Sequence, residues 1–380
     1  MLELSEDRQA IVQVVREFAA DVLAPKAAEW DETHYFPIEV LRQAGELGMG
    51  AIYSREEFGG AGLGKADGVL IFEELAKGDP TIAAYISIHN MATWMIDTFG
   101  TDELRAEWLP TLSTMESLGS YCLTEPGAGS DAAALRTKAE RRGDDYIVNG
   151  VKQFISGAGS SAVYVVMART AELGSRGITA FAVPADAPGL SFGALEKKMG
   201  WHAQPTRQVF FEDVRVPVGS RLSEEGTGFE IAMRGLDGGR ISIGACSLGG
   251  GQAALDKAVA YLTDREAFGR PLIQNEALLF RLADMDTELE TARTLVWRAA
   301  EALDADDDDA VRLCAMAKRV ATDAGFNVAN MALQLHGGYG YLTEYGIERI
   351  VRDLRVHQIL EGTNEIMRLI IGRALVRARR

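Results

Sequence analysis

Cysteine and histidine are scarce in this chain, and their scarcity excludes whole classes of chemistry. The three cysteines, Cys122, Cys246 and Cys314, stand far apart in 380 residues, matching neither a disulfide framework nor a C-x-x-C metal motif and fitting a reducing compartment. The five histidines never pair at ligand spacing, which gives no support to a metalloenzyme. Positive charge is short as well: 39 Lys and Arg against 55 Asp and Glu leave a net charge of −16, disfavouring nucleic acid and anionic membrane surfaces as partners. An anionic ligand therefore needs a local basic site. Long apolar runs are missing too. The least polar stretch, residues 81–99, carries His89, Asn90 and Asp97 and reads as a buried helix rather than a membrane span. The N-terminal "MLELSEDRQAIVQVVREF" is acidic and amphipathic, with no visible signal or transit peptide. The expected setting is bacterial cytoplasm, with a processed mitochondrial chain as the alternative.

What is present is enough apolar residue, 47%, for a sizeable core, in a chain long enough for two or three domains. The periodicity changes twice. Over residues 1–117 apolar positions recur at three and four, as in Ile11, Val14, Val15 and Phe18, predicting a helical domain. Over 118–222 short β-rich runs bounded by Gly or Pro predict a β domain, and Asn149-Gly150 between Tyr146–Val148 and Val151–Ile155 predicts a hairpin turn. Over 223–380 long helices return: Leu313, Ala317, Val320, Ala324, Val328, Met331 and Leu335 form one apolar stripe, preceded by the acidic run Asp306–Asp309 at the helix start. The class is α+β in the order helices, β domain, helices.

The stretch "YCLTEPGAGSD" (121–131) fits the loose dinucleotide pattern G-x-G-x-x-A at Gly127–Ala132. A nucleotide loop of that kind opens a helix inside a βαβ unit, whereas this one leads into β structure, so the match is a decoy and Pro126-Gly127 marks a turn after the strand "SYCLTE". The same stretch resembles the first signature of the acyl-CoA dehydrogenases. "ALQLHGGYGY" followed by "VRDLRVHQILEGTNEIMRLIIGRAL" resembles their C-terminal signature, and the similarity extends over essentially the whole chain. The resemblance implies a middle β-barrel-like domain and a C-terminal four-helix bundle, FAD, a homotetramer built as a dimer of dimers, and α,β-dehydrogenation of acyl-CoA thioesters. It implies reoxidation by an electron-transferring flavoprotein.

Abstraction of a proton beside a thioester needs a carboxylate whose basicity rises as water is excluded. Glu361, between Ile359-Leu360 and Gly362, matches the family's base; by composition alone it would be a surface carboxylate. For the flavin, the resemblance points to Tyr121, Cys122, Leu123, Thr124, Gly129 and Ser130, and to Phe154, Ile155 and Ser156. Most members carry Trp at position 154, though the short branched-chain branch also uses Phe. Arg265 matches the arginine that reaches the FAD pyrophosphate on a neighbouring subunit and Phe268 the aromatic beside it, and Asn275-Glu276 occupies a place where relatives usually have Gln. Gln334, Leu335, His336, Gly337 and Gly338 match the helix end beside the adenosine half, and Thr363, Asn364 and Glu365 the turn at the AMP portion. Ser130, Asp237, Gly238, Gly239, Arg240 and Arg373 are the implied acyl-CoA contacts, the charged ones having surface salt bridges as their alternative reading. Isovaleryl-type members carry their base at the position of Gly239 and lack it at 361, so that branch is disfavoured. The expectation is a short, 2-methyl-branched acyl chain, with short straight-chain or 2-methylbutyryl thioesters as alternatives and a non-catalytic flavin or acyl-CoA binding module as the alternative class.

Overall fold

In the computed structural model, which describes residues 4–377, the N-terminal part forms α1 (Glu6–Phe18), α2 (Ala27–Thr33), α3 (Ile38–Glu46), α4 (Lys65–Gly78), α5 (Pro80–Phe99) and α6 (Asp102–Ser113). Asp79-Pro80 starts α5: the Asp79 carboxylate accepts the Thr81 and Ile82 amides at 2.7 and 3.1 Å, and proline in the first turn needs no amide partner. Its first two turns are buried throughout. Residues 81–99 are thus a core helix, and among the described residues no helix is long and apolar enough to cross a membrane.

The middle part holds β1 (Gly119–Cys122), β2 (Lys138–Arg142), β3 (Asp145–Ser156), β4 (Val163–Arg169), β5 (Ile178–Pro184), β6 (Leu190–Phe192), β7 (Thr206–Pro217) and β8 (Arg221–Leu222). They form one sheet in the order β6-β7-β3-β2-β4-β5-β8, with β1 parallel to β4. Tyr146, Tyr164, Val166, Phe181, Val209 and Phe211 fill the sheet's own core. The opposite side of β4, through Val163, Val165 and Met167, packs with Met95, Ile96, Leu109 and Leu112 of α5 and α6. β4 is buried on both faces, which explains its unbroken apolar run.

The hairpin expected at Asn149-Gly150 is not there: both residues lie inside the continuous strand β3. The turn joining β2 to β3 is Gly143-Asp144, with Arg142 opposite Asp145. Asn149 instead faces a bulge on β7, where its Nδ2 donates to Asp213 Oδ1 at 2.9 Å and its Oδ1 accepts the Asp213 amide at 2.8 Å. Gly150 answers to close packing, since a Cβ there would meet Thr137 Oγ1 at 2.4 Å. Pro126-Gly127 does form a turn, closed by reciprocal backbone bonds between Glu125 and Ala128, and only a three-residue helical turn follows before β2.

The C-terminal part contains α7 (Gly228–Asp264), α8 (Glu276–Asp304), α9 (Ala310–His336), α10 (Ile347–Arg355) and α11 (Asn364–Arg377). α7, α8 and α9 pack on one another, α10 and α11 close against α9, and α4 and α5 lie along α7. Helical N- and C-terminal parts around a middle sheet are the expected fold class.

Candidate active site

Glu361 sits in the loop between α10 and α11, where the backbone turns left-handed at two successive residues, Glu361 (φ 54°) and Gly362 (φ 93°). For a glutamate this conformation is strained and persists only where neighbours hold it. Here they do: Lys318 Nζ donates to Gly362 O and Asn364 Oδ1, both at 2.9 Å, and Arg240 Nε donates to Glu361 O at 3.3 Å. The carboxylate is thereby aimed at α7. A Cβ on Gly239 would lie 2.3 Å from Glu361 Oε2 and 2.5 Å from Met91 Cε. Oε2 itself is buried and makes no hydrogen bond. Burial pushes the Glu361 carboxyl up to about 7, against the opposing pull of Lys318 and Arg240.

This geometry makes Gly239→Ala informative. Both clashing atoms end flexible side chains, so folding is expected to survive, but the methyl displaces the carboxylate. A misplacement of this kind costs on the order of 10²-fold in turnover. Steady-state rates at unchanged flavin content check it, and a rate within a factor of two of the parent would show that the glycine is not there for the carboxylate.

Gly238 and Gly239, with Met91, Trp94 and Asp237, line a cavity of about 330 Å³ between α5 and α7. Asp237 and Arg240 form a buried ion pair at 2.6 Å that fixes the arginine above the Glu361 carbonyl. Of α5, Ser87, Met91 and Trp94 line this cavity. Tyr85 is core, its hydroxyl 3.3 Å from Ser161 Oγ, and Ile88 packs against the main core cluster.

Beside Glu361 the ends of β1 and β3 come together: the Gln153 amide donates to Thr124 O at 2.8 Å, and Ser120 Oγ donates to Ser156 O at 2.6 Å. Tyr121 lies near enough to Glu361 that, after burial, that carboxylate adds to the rise of its hydroxyl pKa, and the hydroxyl has no partner. Phe154 is the exception on β3, 64% exposed at φ 59° on an irregularity of the strand. Its left-handed backbone is costly for an aromatic residue. Cys122, Leu123 and Ile155 point into cores, leaving only their backbones for a ligand, while Gly129 and Ser130 are exposed on the turn.

Comparison with known proteins decides what this arrangement is. Family models match residues 5–116 (acyl-CoA dehydrogenase, N-terminal domain), 120–214 (middle domain) and 226–376 (C-terminal domain). The chain belongs to the acyl-CoA dehydrogenase family. It is 52% identical over 373 residues to mitochondrial isobutyryl-CoA dehydrogenase of Bos taurus, covering 98% of this chain and 90% of that protein. It is 41% identical to the short-chain specific acyl-CoA dehydrogenase of Homo sapiens, covering 100% of this chain and 92% of the relative. Among solved structures, butyryl-CoA dehydrogenase from Megasphaera elsdenii superposes with a TM-score of 0.96 at 38% identity, covering 99% of this chain and 100% of that one. The chain is thus an acyl-CoA dehydrogenase, and FAD is the cofactor of this family.

The residues fit a flavin. The Phe154 ring is exposed, nothing lies within 4 Å of the place a Cβ would take on Gly129, and the Tyr121 hydroxyl, close enough to Glu361 to feel its charge, has no partner, so a planar polar ring could meet all three. The other residues that the resemblance assigns to the cofactor stand mostly in a second group. Arg265 stacks over Tyr339 at 5.3 Å, Phe268 is 99% exposed, Gln334, Gly337 and Gly338 are exposed at the end of α9, and His336 stacks on Tyr261 at 4.5 Å. Asn275 caps α8 by accepting the Ala277 amide at 3.1 Å, next to exposed Glu276. At about 1.5 Å per residue, α7 runs roughly 38 Å from Gly239 to Asp264, so within one protomer this group stands far from Glu361. Leu335 packs at the edge of the core, and Arg373 is exposed on α11. Thr363 Oγ1 accepts the Ile366 amide at 3.3 Å, Asn364 is buried against Lys318, Thr322 and Asp323, and Glu365 is exposed beside Arg368.

Three supporting residues escaped the sequence reading: Lys318, which holds the strained loop, and the buried pair Lys152–Glu125 at 2.8 Å, which ties β3 to the segment after β1. Their signal was a charge in an apolar register, Lys318 on the stripe face of α9 and Lys152 on an inward position of a strand.

Proposed function

We propose that the chain oxidises a short 2-methyl-branched acyl-CoA, isobutyryl-CoA to methacrylyl-CoA in valine catabolism, with Glu361 as the base that removes the α proton. The observation that carries this is the buried, unpartnered Glu361 Oε2 facing Gly239 on the cavity wall. A carboxylate raised to about 7 by burial is poised to take a weakly acidic proton near neutral pH. Between Met91 and Trp94 the cavity offers an apolar wall on which a small acyl group could rest. The Glu361 amide is the donor we assign to the developing enolate oxygen. Arg240, locked by Asp237, keeps the loop carbonyl in place while the carboxylate changes charge. Bound FAD supplies the acceptor for the hydride leaving the β carbon. The electrons then pass to an electron-transferring flavoprotein.

The separation of the Arg265 group from Glu361 supports a further part of this reading, that each flavin site is completed by a second copy within a tetramer. The substrate reading rests on the resemblance to isobutyryl-CoA dehydrogenases, and the 41% identity to a short-chain enzyme makes butyryl-CoA the competing substrate. Anaerobic titration of the holoenzyme, following the flavin absorbance, separates them. Strongest bleaching by isobutyryl-CoA is expected. Stronger bleaching by butyryl- or isovaleryl-CoA would replace the substrate, and a flavin-loaded protein bleached by none would favour a binding module.

A further inference from the structure

The cavity lined by Gly239, the glycine that faces Glu361, also carries a cation on its wall. Lys65, the first residue of α4, lays its ammonium over the Tyr53 ring at 3.1 Å from the centroid and 5.6 Å from that of Trp94. Two consecutive glycines of α7 set the ends of the space. An added Cβ at Gly239 would strike the Glu361 carboxylate, whereas one at Gly238 would meet Lys65 Nζ at 3.0 Å and Cε at 3.2 Å. Hydroxyls share the cavity with the ammonium: Tyr53 Oη and Ser242 Oγ lie 3.4 Å apart, and buried Ser87 lines the same space. Asp304, the nearest acid, is engaged elsewhere, accepting the Lys65 and Ala66 amides at 2.6 and 2.9 Å. Burial pushes the Lys65 ammonium down to about 7 against the pull of Asp304.

Resting on the reading of this cavity as the acyl site, we infer that Lys65 is a specificity-determining residue: with the Tyr53 and Ser242 hydroxyls it forms a polar floor that stops the acyl chain a few carbons beyond Glu361. An isobutyryl group ends short of the floor. A longer straight chain would press methylenes against an ammonium that they cannot hydrogen-bond, taking away its remaining access to water. The floor therefore acts by rejecting long chains rather than by gripping short ones. Nothing in this argument requires an anionic acyl group, and Asp237, Asp306 and Asp307 on the same walls disfavour one.

The test compares kcat/KM for isobutyryl-, butyryl-, hexanoyl- and octanoyl-CoA in the parent, Lys65→Met and Lys65→Arg, each as the flavin-loaded holoenzyme. Lys65→Met is expected to raise the hexanoyl-to-isobutyryl ratio by about tenfold or more, the discrimination a pocket wall can supply, while Lys65→Arg keeps the low ratio of the parent. Should Lys65→Met fail to retain flavin, Tyr53→Phe removes one floor hydroxyl while keeping the ring, and a rise in the same ratio is again expected. An unchanged ratio in a flavin-loaded variant overturns the proposal. So does a uniform rise in KM for all four thioesters, which would place Lys65 on the CoA arm. A parent bleached by no short acyl-CoA would instead defeat the underlying reading of the site, so the two failures are distinguishable.

Discussion

Glu361→Gln is expected to lower kcat by about 10³-fold while FAD and acyl-CoA still bind, because the substitution removes the proton acceptor and almost nothing else. Glutamine has the shape of the carboxylate, and the contacts that hold the loop, from Arg240 to Glu361 O and from Lys318 to Gly362 O, go to the backbone and are untouched. The pH profile gives an independent reading of the same residue. Burial raises the carboxyl to about 7, and the base must be ionised to act, so kcat/KM of the parent should climb as pH rises through 7 and level off above it. The residual rate of the variant should lack that limb. Of the other groups that shift near this range, Lys318, lowered to about 8 mainly by burial, faces the loop carbonyl, and His357, lowered to about 3 mainly by burial, is neutral throughout. Lys65, lowered to about 7 by burial, lines the same cavity as Gly239, so the profile is taken in the Lys65→Met background as well. Turnover near the parent value in Glu361→Gln, or a persisting limb at 7, would remove Glu361 from the role of base.

The fold was legible where one element dictates its own boundaries. The stretch 81–99 reads as a buried helix and forms α5, and the apolar stripe of α9 runs from Leu313 to Leu335 as the three-and-four spacing predicts. It was illegible where a local signal serves a distant partner. Asn149-Gly150 has the chemistry of a hairpin turn, but its amide pairs with Asp213, sixty-four residues away, and its glycine admits Thr137. No window of the sequence contains that information.

The site divides along the same line. By composition alone Glu361 reads as a surface carboxylate; the candidate base could be named because the motif around it, Ile359, Leu360 and Gly362, resembles the family's. The cavity could not, because Lys65, Met91 and Gly239 come from three helices and meet only in the fold. Gly239 shows both halves: its identity can be read in the sequence, but that its missing side chain makes room for a carboxylate 122 residues further along can be seen only in space. Charges in apolar registers were the one readable sign of the supporting residues, and a sign of that kind gives a location without a partner.

Lys152 carries the largest expected effect on stability. Its ammonium is fully buried and donates to Leu123 O at 3.0 Å and to Glu125 Oε1 at 2.8 Å, while the same carboxylate accepts the Arg136 and Thr137 amides at 2.6 and 2.9 Å. This one pair binds the strand that carries Phe154 to the segment that carries Tyr121 and Thr124. Lys152→Met fits the space but leaves the buried Glu125 with no cation, which costs about 3–5 kcal/mol. The damage should be local first, seen as faster flavin release, and then as a lower unfolding midpoint. If the cause is the abandoned charge, adding Glu125→Gln should recover part of the loss, since the amide oxygen still accepts backbone N–H groups without demanding a cation. A double variant as unstable as the single one would show that Lys152 acts through its hydrogen bond to Leu123 O. An unchanged midpoint in Lys152→Met would show that the pair does not hold these strands together at all.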